Sequence, residues 1–148
     1  MLLLASAPAH AQQSVDRAPS WEARADYLGT RAGAIHGGAG VSVAAGPSVR
    51  AALVAGAGAT LREGDPSGRV EAVLRLLLDP RGERRWSPYG AGGLGVRWDR
   101  GRAGQAALVA LVGVEGPPLG GRVRPALEAG VGYGLRVAVV LRPTMPAR

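Results

Sequence analysis

Nucleophilic catalysis needs a base to take the nucleophile's proton, and beyond the first ten residues the chain offers one imidazole, His36. Ser42 and Ser48 are its hydroxyl neighbours in sequence. Ser42 lies six residues along the same strand face, about 20 Å away at ~3.3 Å per residue, so a triad is out of geometric reach. A satisfied or solvent-exposed histidine accounts for His36 better. One such histidine and no cysteine support no metal site and exclude disulfides. Gly90-Ala91-Gly92-Gly93-Leu94-Gly95 has a spacing loosely like a phosphate-cradling loop. Neither flank supplies the strand-then-helix context such a loop requires, and glycines here suit strand bending and close packing in a narrow barrel. The sequence therefore predicts no catalytic, cofactor-binding or metal-ligating residues.

The remaining chemistry is charge. All 18 basic residues are Arg, against 11 acidic residues, for a net charge of +7. Nucleic-acid binding calls for clustered cations interleaved with stacking aromatics. Here the arginines are spread along the chain, with only Arg84-Arg85 adjacent, so no nucleic-acid partner is expected. Some charges fall at regular strand positions. Arg69, Glu71, Arg75, Arg124 and Glu128 share the less apolar strand faces and read as ion pairs inside a closed barrel. A water-filled pore is the alternative use of that interior, but eight strands enclose a space that side chains fill.

The elements that must position these groups are strands. With 24 Gly and 11 Pro, helices are disfavoured almost throughout. From Val49 to Leu61 the odd positions are wholly apolar, while the even ones are small, with Arg50 and Arg62 at the two ends. The pattern repeats after the turn cluster Gly64-Asp65-Pro66-Ser67-Gly68. Across Gly46-Pro47-Ser48 and across Gly132-Tyr133-Gly134 the apolar phase stays odd, as a three-residue hairpin loop requires. Strands are expected at about 20 to 28, 31 to 45, 48 to 62, 69 to 79, 85 to 98, 103 to 115, 122 to 131 and 135 to 142. The first, where Trp21, Ala23, Ala25 and Tyr27 alternate with Glu22, Arg24 and Asp26, reads equally as a helical turn capped by Ser20.

Two barrels fit this pattern. A soluble carrier would turn Leu74, Leu76, Val112 and Val139 inward and wet the other face. A membrane barrel reverses this. The less apolar face is too small and too poor in Ser, Thr and Glu for a water-facing exterior, which favours an all-β, antiparallel up-and-down transmembrane barrel of about eight strands. Trp86 and Trp98 share one parity, twelve residues apart. On one strand tilted by ~40–45° the rings stand roughly 28–30 Å apart along the membrane normal, the spacing of the two interfacial aromatic girdles.

At the N-terminus, the apolar run from Met1 and the small-x-small site Ala9-His10-Ala11 before Gln12-Gln13 read as the end of a signal peptide, without the usual positive start. The division expected is a signal peptide over 1–11, an N-terminal segment or first strand over 12–30, the barrel over 31–142 and a tail over 143–148.

The stretch Trp86-Ser87-Pro88-Tyr89-Gly90-Ala91-Gly92-Gly93-Leu94-Gly95-Val96 resembles the "P-Y-x-G-x-G-x-G" strand of small outer-membrane β-barrel-domain proteins of Gram-negative bacteria. Arg124-Pro125-Ala126-Leu127-Glu128-Ala129-Gly130-Val131-Gly132-Tyr133 is similar to their "P-x-x-E-x-G-x-G" strand near the C-terminus. The resemblance spans roughly residues 31 to 142. It implies an exported outer-membrane protein whose partners are membrane lipid, lipopolysaccharide and the barrel-assembly machinery. Members commonly end in an aromatic residue read by that machinery, whereas this chain runs Leu141-Arg142-Pro143 and on to Arg148. The resemblance also implies that the last strand ends in the periplasm. Loops near Gly132, Asp99 to Arg102 and Arg62 to Gly68 then face outward, with Arg62, Arg100 and Arg102 placed for lipopolysaccharide phosphates. Some barrels of this size modify lipid A through His and Ser, which makes such an enzyme, acting through His36, the further alternative.

Overall fold

The computed structural model describes residues 18–80 and 85–144. β1 (Ser20–Gly29), β2 (Ala34–Ala44), β3 (Val49–Thr60), β4 (Pro66–Leu77), β5 (Ser87–Asp99), β6 (Gln105–Glu115), β7 (Val123–Val131) and β8 (Leu135–Pro143) follow in order, with no helix among the described residues. Each pairs antiparallel with the next and β8 returns to β1, so eight strands close into an up-and-down barrel without a free edge. The signal-peptide reading of residues 1–11 and the tail residues 145–148 lie outside the described residues. The first element is a strand and not a helical turn. Ala23 to Gly29 pair with Leu141 to Leu135, so residues 20–29 belong to the barrel wall.

Alternation in the sequence becomes alternation between two faces. Odd residues point outward on β1, β2 and β3, even residues on β4, β5 and β6, and odd residues again on β7 and β8. Both three-residue hairpins form. Val131 pairs with Leu135 around Gly132-Tyr133-Gly134, and Ala45 hydrogen-bonds Val49 around Gly46-Pro47-Ser48. Tyr133 sits at φ 64°, a backbone region that a bulky residue rarely adopts.

β4 begins three residues earlier than the sequence suggests. Ser67 and Gly68 read as turn residues, yet they pair with Asp99 and Trp98, and the turn is confined to residues 61–65, where Gly64 has φ 70°. The reason is tertiary. A Cβ on Gly68 would lie 2.6 Å from the Trp98 indole, so this glycine is the clearance that lets the ring lie across β4. The same device recurs, with Tyr89 over Gly113 and His36 over Gly58 on the paired strand. An aromatic ring laid over a cross-strand glycine covers backbone that would otherwise pack poorly.

Gly93 answers a different need. A Cβ there would stand 2.0 Å from the Ala72 carbonyl oxygen, because the tightly coiled strands of a narrow barrel bring backbones together on the concave side. Gly37, on the convex side, has nothing within 4 Å of the same position. Gly93→Ala is expected to lower the unfolding free energy in detergent micelles by about 1–3 kcal/mol through overpacking, and Gly37→Ala to leave it unchanged. Equal urea midpoints for the two variants would contradict this account of closure.

Candidate functional site

The interior of the barrel is where charge collects. β1 alone sends Glu22, Arg24 and Asp26 inward at every second position, each buried. Arg69, Glu71 and Arg75 enter from β4, Glu128 from β7, and Arg136 and Arg142 from β8, all at most 5% exposed. Four carboxylates thus face five guanidiniums across the lumen.

Every carboxylate in this layer is shared. Glu22 accepts from Arg24 at 3.1 Å, Arg75 at 2.7 Å and Arg142 at 3.2 Å. Glu128 accepts from Arg24, from Arg142 at 2.9 Å and from the Tyr89 hydroxyl at 2.7 Å. Asp26 is held by Arg69 and, at 2.8–2.9 Å, by Arg136. Glu71 takes Arg136 at 2.8–2.9 Å and Arg69 at 2.7 Å. Arg24 bridges the two halves, reaching Glu22, Glu128 and Asp26. Desolvating such ions costs several kcal/mol each and is recovered only where every charge has close partners.

Each mouth has its own groups. On the side where β1 begins and β8 ends, Arg124 is half-buried and lies 3.5 Å from Glu115, which also takes Arg142 at 3.2 Å. On the opposite side Arg97 pairs with Asp99 at 2.9 Å. Tyr133 folds in from its hairpin there, its hydroxyl filling the space a Gly95 side chain would need, and burial pushes that phenol up to about 12. Arg62 and Arg102 line a depression of about 380 Å³ at this mouth together with Arg31. Arg102 is exposed and only loosely paired, 3.9 Å from Glu63. Arg100 does not line that depression; its backbone N–H donates to the Pro66 carbonyl.

His36 is fully buried, with Nε2 2.9 Å from Ser67 Oγ. Its partner is thus neither Ser42, which bonds Ser20 at 2.9 Å, nor Ser48. Sequence reading placed Ser67 in a turn, and pairing of β4 with β3 and β3 with β2 brings it to His36. Glu22, Arg24, Asp26, Arg97, Arg136 and Arg142 are further lumen groups, beyond those expected from the sequence. The signal was available, since each has the parity opposite to the apolar residues beside it.

The outer surface is apolar. Leu74, Leu76, Val112 and Val139, which a soluble carrier would turn inward, are 49–67% exposed, and that alternative is overturned by their placement. Trp21, Trp86 and Trp98 also face outward, with Trp86 immediately before β5 and Trp98 near its far end.

In structure the chain is similar to the N-terminal β-barrel domain of Pseudomonas aeruginosa OprF, known from a crystal structure. The TM-score is 0.54 at 14% identity, covering 84% of this chain and 96% of that domain. The likeness shows the fold. No family model matches the chain, and no curated protein matches it in sequence.

Removing one shared acceptor takes a close partner from several buried cations at once. Glu128→Ala is expected to cost about 3–5 kcal/mol of unfolding free energy, and adding Arg24→Ala should restore part of it, a coupling a double-mutant cycle reads directly. A loss below ~1 kcal/mol, the range of exposed pairs, would contradict the shared network.

Proposed function

We propose that this protein is a small outer-membrane β-barrel with a structural or interaction role, its lumen filled by side chains and performing no catalysis. The observation that carries this reading is the inversion of the two faces. Ten arginine, aspartate and glutamate side chains, Arg97 included, are buried inside, while leucine, valine and tryptophan cover the outside. Water would not stabilise that arrangement, and a hydrocarbon surround would. Closure supports it too, because a barrel leaves no backbone edge unsatisfied in lipid. A lipid A-modifying role for His36 is disfavoured, since an imidazole fully buried in the lumen meets no lipid substrate.

In this reading Trp86 and Trp98 sit at the two interfaces, and the partners are membrane lipid, lipopolysaccharide and the barrel-assembly machinery. Arg62, Arg100 and Arg102 face the outer leaflet, where lipopolysaccharide phosphates accept guanidinium hydrogen bonds. The orientation follows from placing the end of β8 in the periplasm. Connection lengths argue the other way, because the links over 78–86 and 116–122, on the side where β1 begins and β8 ends, are longer than those over 61–65 or 132–134, and periplasmic turns are usually the short ones.

Expressed with an export signal, the protein should be recovered in the outer-membrane fraction and migrate faster on a gel before boiling than after; a soluble periplasmic product would overturn the proposal. Cysteines at Arg100 and Pro118 decide the orientation. An impermeant thiol reagent on intact cells should label position 100 and spare 118, and the reverse pattern would invert the topology.

A further inference from the structure

Among the described residues lining the mouth where β1 begins and β8 ends, arginine outnumbers the carboxylates. Arg50 on β3 stands directly opposite Arg75 on β4, and Arg124 on β7 directly opposite Arg142 on β8. Like charges placed across a strand pair destabilise it unless counter-charge is supplied. Arg75 and Arg142 turn inward to Glu22 and Glu128. Arg142 and Arg124 also share Glu115. Arg50 is half-buried and makes no ion pair or side-chain hydrogen bond among the described residues.

A cavity of about 160 Å³ opens beside it, lined by Arg50, Arg124 and Arg142 with Glu115 and Asp79. That is far more room than the ~10–15 Å³ one water needs. Ser87 lines the same cavity, and its hydroxyl is buried with no partner among the described residues. A half-buried charge and a buried hydroxyl left unserved among the described residues on one cavity wall both carry a cost, and one ligand can serve both.

We propose that this mouth binds a phosphate-type oxyanion, held chiefly by Arg50, with Arg124 and Ser87 completing its hydrogen bonds. Guanidiniums reaching in from β3 and from β7 approach from two directions, which suits a tetrahedral anion with several acceptor oxygens better than a planar carboxylate with two. The anion is either a soluble phosphate or the head group of a phospholipid at the rim. The site stands on the geometry of the lumen, and only the compartment it faces rests on the orientation proposed above.

The test is the thermal midpoint of the full chain in uncharged detergent micelles, titrated with inorganic phosphate against chloride at equal ionic strength. A ligand that binds only the folded barrel raises the midpoint with its concentration. Wild type should show a saturable rise under phosphate, and Arg50→Gln should weaken the apparent affinity by about tenfold or more, the loss of one charge-assisted hydrogen bond. Arg31→Gln at the other mouth should behave as wild type. Heat-modifiable migration checks that each variant folds, and Ser87→Ala, a smaller change, should weaken binding if Arg50→Gln does not fold. Doping the micelles with phosphatidic acid separates the sources: suppression of the phosphate effect assigns the site to a lipid head group, and persistence assigns it to a soluble anion. No phosphate-dependent rise in wild type, or the same rise in Arg50→Gln, would overturn the proposal.

Discussion

Buried charge in the lumen constrains everything else in this protein. Five guanidiniums and four carboxylates are withdrawn from water into a space only eight strands wide. No single pair among them would be expected to stabilise the fold, because desolvation offsets most of the Coulombic gain. What makes the arrangement tenable is sharing. Glu22, Asp26, Glu71 and Glu128 each accept from at least two arginines, and Arg24 ties the upper and lower groups together. Such a network specifies register, since sliding one strand by a single residue would turn its charges outward and its leucines inward.

The wall of the barrel is shaped to hold that interior. Side chains as long as arginine fill the lumen only if the surrounding strands coil tightly, and tight coiling brings backbones close wherever a residue points inward. Gly58, Gly93 and Gly130 are the points of closest approach, each with a carbonyl oxygen within about 2 Å of where a Cβ would stand. Rings laid over Gly68 and Gly113 then seal the thin places. The same small residues that make the sequence look featureless are therefore the mechanical condition for enclosing the charges.

Much of this was legible in the sequence. The odd-even alternation of Val49 to Leu61 and the parity kept across Gly132-Tyr133-Gly134 are local facts, and they lead directly to strand number, hairpins and facing. Arg69, Glu71, Arg75 and Glu128 follow from the same parity, and they lie in the lumen. Arg124 stands at the rim instead, half-buried, because it is only the second residue of β7. What stayed hidden depends on closure. β1 reads ambiguously alone, and its Asp26 and Glu22 acquire Arg136 and Arg142 only when β8 pairs with it. Ser67 looks like a turn residue until β4 pairs with β3 and β3 with β2, which brings it to His36.

The claim on which the functional account turns is that the leucine, valine and tryptophan surface contacts hydrocarbon. All three tryptophans of the chain face outward, so selectively excited tryptophan fluorescence reports on that surface alone. With the barrel reconstituted in lipid, bromine placed on the acyl chains close to the head groups should quench the emission strongly, and bromine near the bilayer centre should quench it less, because Trp86 and Trp98 lie toward opposite ends of β5. Emission unaffected by bromine at any depth would contradict a membrane-spanning barrel.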